Sequence, residues 1–352
     1  MRFPDNHGRN NRFEYPSTRY QGSKSKILGW IWYNIDDIEF SSCLDAFGGT
    51  GSVGYFLKRQ GKSVDYNDNL QFNYTIGKAI IENDAVILSD ADINYILTRQ
   101  PDITYPTFIQ DTFQDIFFLD EENAWLDAVI TNIHSLENDY KKALACTALF
   151  QACIIKRPYN LFHRANLYMR TADVKRSFGN KKAWDKPFPQ YFRQFAQEFN
   201  RLVFANGQRN TAFCKDVFDL VPHYDLVYID TPYMNAKGTG VDYLDFYHFL
   251  EGLLDYDDWP DRLDIKYKHK RLQGDKSPWC RKDIIHDAFD RLFAHFRNSI
   301  LVVSYRSHGI PSEEELVAMM SKYKKKVQVR YTDYQYALSR QRNGREILII
   351  GK

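Results

Sequence analysis

A short strand that runs into a glycine turn and leaves it as a helix constrains this chain more than any other feature. Ser42–Phe47 reads as a strand, followed by Gly48-Gly49-Thr50-Gly51-Ser52-Val53-Gly54 and then helical Tyr55–Gly61. Ser63–Tyr66 is a second strand, and a second helix runs from about Gln71 to Asn83. Strand, glycine turn, helix and strand within about 25 residues make a βαβ unit, which calls for a parallel sheet covered by helices. From about residue 85 to 208 the pattern changes. Ala85–Gln100, Glu121–Ile133, Asn138–Ile155 and Phe188–Phe204 space their apolar residues for helices, and no convincing strand interrupts them. Strand-like runs return at Ala212–Cys214, Asp225–Ile229, Ile300–Tyr305, Val327–Tyr331 and Ile347–Ile350, with helical stretches at Phe246–Leu254 and Lys282–Arg297. The expected architecture is α/β, with a parallel sheet carrying helices on both faces. Residues 1–84 and 209–352 build the sheet and 85–208 form a mostly helical insertion.

The remaining composition excludes several classes. Apolar runs such as those within Ser299–Val303 and Glu346–Ile350 hold four residues, against the ~20 that span a bilayer. The polar first residues, with Pro4 and Pro16, read as a loose arm without an apolar leader segment. Cys43, Cys146, Cys153, Cys214 and Cys280 are scattered and form no C-x-x-C pair, so reduced thiols are expected rather than a metal site. A cytoplasmic protein is expected. Net charge is only +2, so a nucleic-acid surface would have to be a local segregation of charge.

The glycine turn itself can bring backbone close to a ligand, and the helix after it offers free N–H groups to a carboxylate or phosphate. Asp68, at the end of the second strand, suits a pair of ribose hydroxyls. No Walker Gly-Lys-Ser/Thr is present, but a dinucleotide pattern can be laid over Gly49–Gly54. A nicotinamide-dependent oxidoreductase therefore competes at this point.

The second half of the chain decides. Asp225–Ile229 runs directly into Asp230-Thr231-Pro232-Tyr233, and the carboxyl end of a parallel strand is where open α/β folds place their chemistry. Asp-Thr-Pro-Tyr resembles the Asp-Pro-Pro-Tyr motif of amino-group methyltransferases that use S-adenosylmethionine, and Asp45–Gly54 resembles their glycine motif. Thr18-Arg19-Tyr20-Gln21-Gly22-Ser23-Lys24-Ser25-Lys26 is similar to the N-terminal aromatic-x-Gly-x-Lys motif of the D12 class of DNA adenine-N6 methyltransferases. The order of motifs is that of the class, and the likeness spans about residues 17–351. One departure stands out: Thr231 occupies the place of the first proline, where a backbone carbonyl is still available and Pro232 still favours an extended Thr231.

The resemblance implies a Rossmann-like methyltransferase sheet and transfer of a methyl group from S-adenosylmethionine to N6 of a flipped adenine in double-stranded DNA. It implies that Asp230 and the Thr231 carbonyl accept the two N6–H groups, with Pro232 completing the motif and Tyr233 stacking on the base. For the cofactor it implies Tyr20 beside the pocket and Lys24 on the methionine carboxylate. The amides around Gly48, Gly49, Thr50 and Gly51 would face the methionine moiety, with Asp45 and Phe47 also at the cofactor; Asp68 would take the ribose, and Asp216 and Val217 the adenine. A cognate restriction endonuclease is the usual partner of such enzymes. An RNA adenine substrate, or a DNA-binding relative that has lost transfer through Thr231, remain the alternatives.

Lys156–Pro187 carries nine cationic side chains against two aspartates in a chain of net charge +2, interleaved with aromatics and asparagines. Arg157, Asn160, His163, Arg164, Asn166, Arg170, Lys175, Arg176, Lys181 and Lys182 are the expected DNA contacts there. A second cluster, Lys266–Lys282, reads either as a backbone clamp or as a surface loop paired with the acidic run before it.

Overall fold

A computed structural model describes residues 15–16, 20–173, 181–333 and 345–352. Thr18 and Arg19, and the expected DNA contacts Lys175 and Arg176, lie outside the described residues.

Helix α1 (Leu28–Tyr33) precedes the sheet. The βαβ unit follows as β1 (Ser42–Asp45), α2 (Ser52–Arg59), β2 (Ser63–Asn67) and α3 (Gln71–Gly77), the last extended by a π-helical turn over Lys78–Glu82. The middle of the chain is helical: α4 (Asp90–Leu97), α5 (Phe108–Thr112), α6 (Asp120–His134), α7 (Asp139–Ile155), α8 (Tyr168–Thr171), α9 (Lys181–Asp185) and α10 (Phe188–Asn200). The sheet resumes with β3 (Thr211–Phe213) and β4 (Leu226–Ile229), followed by α11 (Tyr243–Leu254) and a small hairpin of β5 (Leu263–Asp264) and β6 (Arg271–Leu272). Then come α12 (Ile285–His295), β7 (Ile300–Arg306), α13 (Glu313–Met320), β8 (Val327–Asp333) and β9 (Arg345–Gly351).

Seven strands form one sheet in the order β3-β2-β1-β4-β7-β9-β8. The first five of that order run parallel, and β9 pairs antiparallel with both β7 and β8. Chain order reverses between β1 and β4, so the crevice above their carboxyl ends is the place where such sheets bind ligands. At the opposite end, the Asp225 carboxylate accepts the Ser41 and Ser42 amides at 2.9 and 2.8 Å and sets the two strands side by side.

Strand residues alternate between two apolar cores, as the two-residue period of a strand requires. Cys43, Val64, Tyr66, Leu226, Tyr228, Val302 and Leu348 face one core, and Leu44, Val227, Ile229, Leu301, Val303 and Ile347 face the other. The second core is closed by α12 and α13. The first runs on without a break into the helical middle of the chain, where Phe72 on α3 meets Phe150 on α7 edge-on with ring centroids 6.1 Å apart. The helices of 85–208 thus pack directly on the sheet layer. No helix among the described residues is long and apolar enough to cross a membrane.

Candidate active site

The carboxyl ends of β1, β2 and β4 open into a cleft of about 1420 Å³. Tyr20, Lys24, Asp45, Phe47, Gly48, Gly49, Thr50, Asp68, Asp216 and Val217 line it, and so do Asp230, Thr231, Pro232 and Tyr233. Of the residues expected at the cofactor and the target amine, Gly51 alone does not. Its φ of +76° and its amide, which donates to the Gly48 carbonyl at 2.8 Å, make it the pivot that turns β1 into α2.

Gly48 is required for a different reason. A Cβ there would stand 1.9 Å from the Tyr66 ring, so the turn can close on β2 only without a side chain. The Tyr66 hydroxyl in turn lies 2.7 and 2.9 Å from the Gly49 and Asn73 carbonyls, fastening the turn to α3. The amides of this turn are largely committed inside the protein. Gly48 donates to the Asn67 carbonyl at 2.9 Å, and Gly49 donates to Asp68 Oδ2 at 3.0 Å. The expectation that the amides around Gly48–Gly51 face the ligand is corrected accordingly for Gly48, Gly49 and Gly51.

Three carboxylates face the cleft from three elements. Asp68 accepts Gly49 with one oxygen and Leu70, at 3.0 Å, with the other. Burial pushes its pKa up against those bonds. Asp45, 1% exposed, accepts the Gly54 amide at 2.8 Å across the start of α2. Burial pushes it up to about 7, with the neighbouring Asp230 and Asp68 adding to the rise. Asp230, just beyond β4, is pushed up to about 6 by burial, against the pull of Lys24 and with a further push from Glu346. Asp216 caps the turn Val217–Asp219 through the Phe218 amide at 3.0 Å, with Val217 buried beneath it.

Lys24 is placed differently from the sequence reading. Its ammonium sits 2.8 Å from Asp230 Oδ2, 3.4 Å from Glu346 Oε1 and 4.7 Å from the centre of the Tyr233 ring. It is 5% exposed and lines the cleft with its ammonium already paired to the Asp-Thr-Pro-Tyr turn. Tyr233 lies with its hydroxyl 2.8 Å from Asp230 Oδ1 and 2.5 Å from Glu346 Oε1, and its ring edge-on to Tyr305. Thr231 is 2% exposed, and its hydroxyl finds no hydrogen-bond partner among the described residues. Tyr20 stacks on Tyr247 at 4.6 Å and on Tyr243 at 5.6 Å; Tyr20 and Tyr243 line the cleft, and Tyr247 is buried. Glu346 was missed as a functional residue. Its signal was weak but present: an acid abutting the all-apolar Ile347–Ile350 run.

The basic segment divides sharply. Tyr159 and Asn160 line the cleft rim, both with φ of +61°, and Tyr159 is half-exposed. Two consecutive non-glycine residues in that region store strain, as functional loops often do. Arg164, Lys181 and Lys182 are exposed, and His163 is half-buried against Phe246. Arg157, Asn166 and Arg170, expected on DNA, are instead internal. The Arg157 guanidinium donates to the carbonyls of Leu161, Phe117 and Arg164 at 3.2, 3.0 and 2.8 Å and to Asn166 Oδ1 at 2.5 Å. Arg170 grips Glu122 with two bonds of 2.8 Å. Buried cations demand partners: Arg157 finds most of its own in the loop that follows Tyr159 and Asn160, and Arg170 finds Glu122 near the start of α6.

A carboxylate beside a glycine turn, at the switch point of a parallel sheet, is where α/β folds bind nucleotide-type ligands. The comparisons agree. The sequence profile of the D12 class N6 adenine-specific DNA methyltransferases matches residues 20–319. The type II methyltransferase M2.HphI of Haemophilus parahaemolyticus is 31% identical over 95% of this chain and 96% of its own length. The type II methyltransferase M.NlaIII of Neisseria lactamica is 25% identical over 92% of this chain and 94% of its own. The type II methyltransferase M.FokI of Planomicrobium okeanokoites is 25% identical over 87% of this chain but only 47% of its own length. The chain belongs to the D12 class of N6 adenine-specific DNA methyltransferases.

Proposed function

We propose that this chain methylates N6 of an adenine flipped out of double-stranded DNA at a specific site, as the modification partner of a restriction endonuclease. The observation that carries this reading is the meeting of Asp230, at the end of β4, with the glycine turn of β1 in one cleft. S-adenosylmethionine would supply an electrophilic methyl group there. The cleft suits it: Asp68 can accept ribose hydroxyls, and Val217 with Asp216 offers an apolar face and an acceptor for an adenine. The carboxylates Asp45, Asp68 and Asp230 also favour a cationic sulfonium.

In this reading Asp230 Oδ and the Thr231 carbonyl accept the two N6–H groups and hold the amine so that its lone pair points at the methyl. An amine conjugated to a ring is a poor nucleophile, and fixed orientation supplies much of the barrier reduction, up to ~7–11 kcal/mol in favourable cases. Lys24 fixes Asp230, and Pro232 and Tyr233 offer a face to the flipped base, whose stacking is worth ~1–3 kcal/mol. Residues 85–208 act as the target-recognition part, with Tyr159 and Asn160 at the cleft rim and the exposed Arg164, Lys181 and Lys182 toward phosphates.

The test is to express the chain in a methylation-deficient bacterial host and read its genomic DNA by single-molecule sequencing kinetics. N6-methyladenine at one recurring motif is the expected result. Unmodified DNA from a soluble, cofactor-binding protein would overturn the reading.

A further inference from the structure

Beyond the Asp-Thr-Pro-Tyr turn, the site contains a second carboxylate that the family motif does not include. Glu346 is the second residue of β9 and is fully buried. Its Oε1 accepts the Ser304 hydroxyl from β7 at 2.8 Å and lies 2.5 Å from the Tyr233 hydroxyl. That same hydroxyl lies 2.8 Å from Asp230 Oδ1. A phenol has one proton to donate, and here it stands between two carboxylates within bonding distance of both. The charged and titratable groups around the pair are Lys24 from the N-terminal segment, Asp45 from β1, Tyr228 from β4, Tyr243 from α11, Tyr305 of β7, which meets the Tyr233 ring edge-on, and Arg306, opposite Glu346 in the β7–β9 register.

The reaction has a proton to place. N6 enters with two hydrogens. When its lone pair forms the new C–N bond and the C–S bonding pair stays on sulfur, the nitrogen must release one of them. Asp230 is the nearest acceptor in the proposed function, on which this inference rests. If it kept the proton, it would leave the turn uncharged and Lys24 without its closest partner. A phenol bridging to a second carboxylate gives the proton somewhere to go.

We propose that Glu346 is the proton holder of the site: as Asp230 passes the amine proton to the Tyr233 oxygen, the phenol proton passes to Glu346 Oε1. Asp230 is restored as a carboxylate, Tyr233 remains a phenol and Glu346 ends as a neutral acid. It returns the proton to solvent as the products leave. Glu346 touches neither substrate nor cofactor in this scheme and acts through Tyr233 and Asp230, as a positioning residue.

Glu346→Gln keeps the shape and the oxygen that Ser304 and Tyr233 meet but cannot accept a proton. Two measurements apply. One is the carboxyl ¹³C titration of labelled enzyme without cofactor. The other is single-turnover methyl transfer to unmethylated genomic DNA as a function of pH. Removing a like charge should move the Asp230 midpoint and the acid limb of the rate profile down by about one pH unit. The plateau rate should fall by about tenfold or more. An unmoved midpoint with a rate within twofold of the parent overturns the proposal. If Glu346→Gln does not fold, Tyr233→Phe breaks the same bridge. It should slow transfer and raise the Asp230 midpoint, and a parental rate in that variant is equally fatal. Asp230→Asn separates the two levels. A rapid Asp230→Asn enzyme refutes the role of Asp230 itself, whereas an inactive one beside a normal Glu346→Gln refutes only the proton route.

Discussion

Two buried clusters of charge in this molecule use the same residue types to opposite ends. In the helical part, the Glu122 carboxylate near the start of α6 meets two cations, Lys156 at 2.7 Å and Arg170 through two bonds of 2.8 Å. Lys156 also donates to the carbonyls of Trp184 and Lys186, both at 2.7 Å. Burial raises the Glu122 pKa, but Arg170 and Lys156 outweigh it and hold the carboxyl below its ordinary value. At the crest of the sheet the proportion is reversed: one lysine, Lys24, lies between two carboxylates, Asp230 and Glu346. There burial prevails and Asp230 rises to about 6. A carboxylate surrounded by cations is locked and contributes to folding. One held partly against its charge is poised to accept an N–H group or a proton, and strongly perturbed carboxyls in clefts are a mark of function.

The comparison would break first at Asp230. Asp230→Ala should lose methyl transfer by roughly 10²–10⁴-fold while calorimetry finds S-adenosylmethionine affinity within a few-fold of the parent. Near-normal turnover would remove Asp230 from the chemistry. Glu122→Gln should leave Lys156 and Arg170 inadequately paired and cost about 3–5 kcal/mol in denaturant unfolding, the usual penalty for stripping one partner from a buried charge cluster. A neutral outcome would show that cluster to be dispensable.

The pH dependences should have opposite signs. Asp230 titrates higher in the folded protein than in the unfolded chain, so its ionisation destabilises the fold as pH rises through about 6. Asp230→Asn should therefore raise stability at pH 7–8 by about 1–2 kcal/mol, with Lys24 still beside Glu346, in the same variant that is inactive. Glu122 titrates lower when folded, so its contribution is present above the ordinary carboxyl range and is lost as pH falls through its folded value. Thermal melts of both variants across pH read the two slopes directly, and parallel slopes would contradict the contrast. The smallest effect belongs to the surface. Lys182→Ala should leave stability within about 0.5 kcal/mol and weaken DNA binding evenly across sequences, lowering the salt-dependence slope by about 1. An unchanged slope would take Lys182 off the DNA.

Much of the sheet was legible because local pattern and tertiary environment agree there. β4 is apolar at every position and buried at every position, and Asp230 follows it directly in sequence. The helices α6, α7 and α10 were readable from apolar spacing alone, and their observed bounds fall close to the expected ones. The basic segment misled for a physical reason. Its charge total is a property of composition, whereas whether a cation reaches solvent depends on what packs over it. Arg157 and Arg170 are as basic in sequence as Arg164, but only Arg164 is exposed.

The sequence by itself determined the βαβ unit, the motifs and the place of Asp230 directly after a strand, because each of these is written in local stretches of the chain. Only the tertiary structure could decide that Lys24 turns to Asp230, and that Glu346, 116 positions beyond that aspartate in the chain, shares a phenol with it. Those contacts arise where an N-terminal segment, β4 and the antiparallel β9 converge on one sheet edge. No local pattern encodes such a convergence, because it depends on strand order and register rather than on neighbours in sequence.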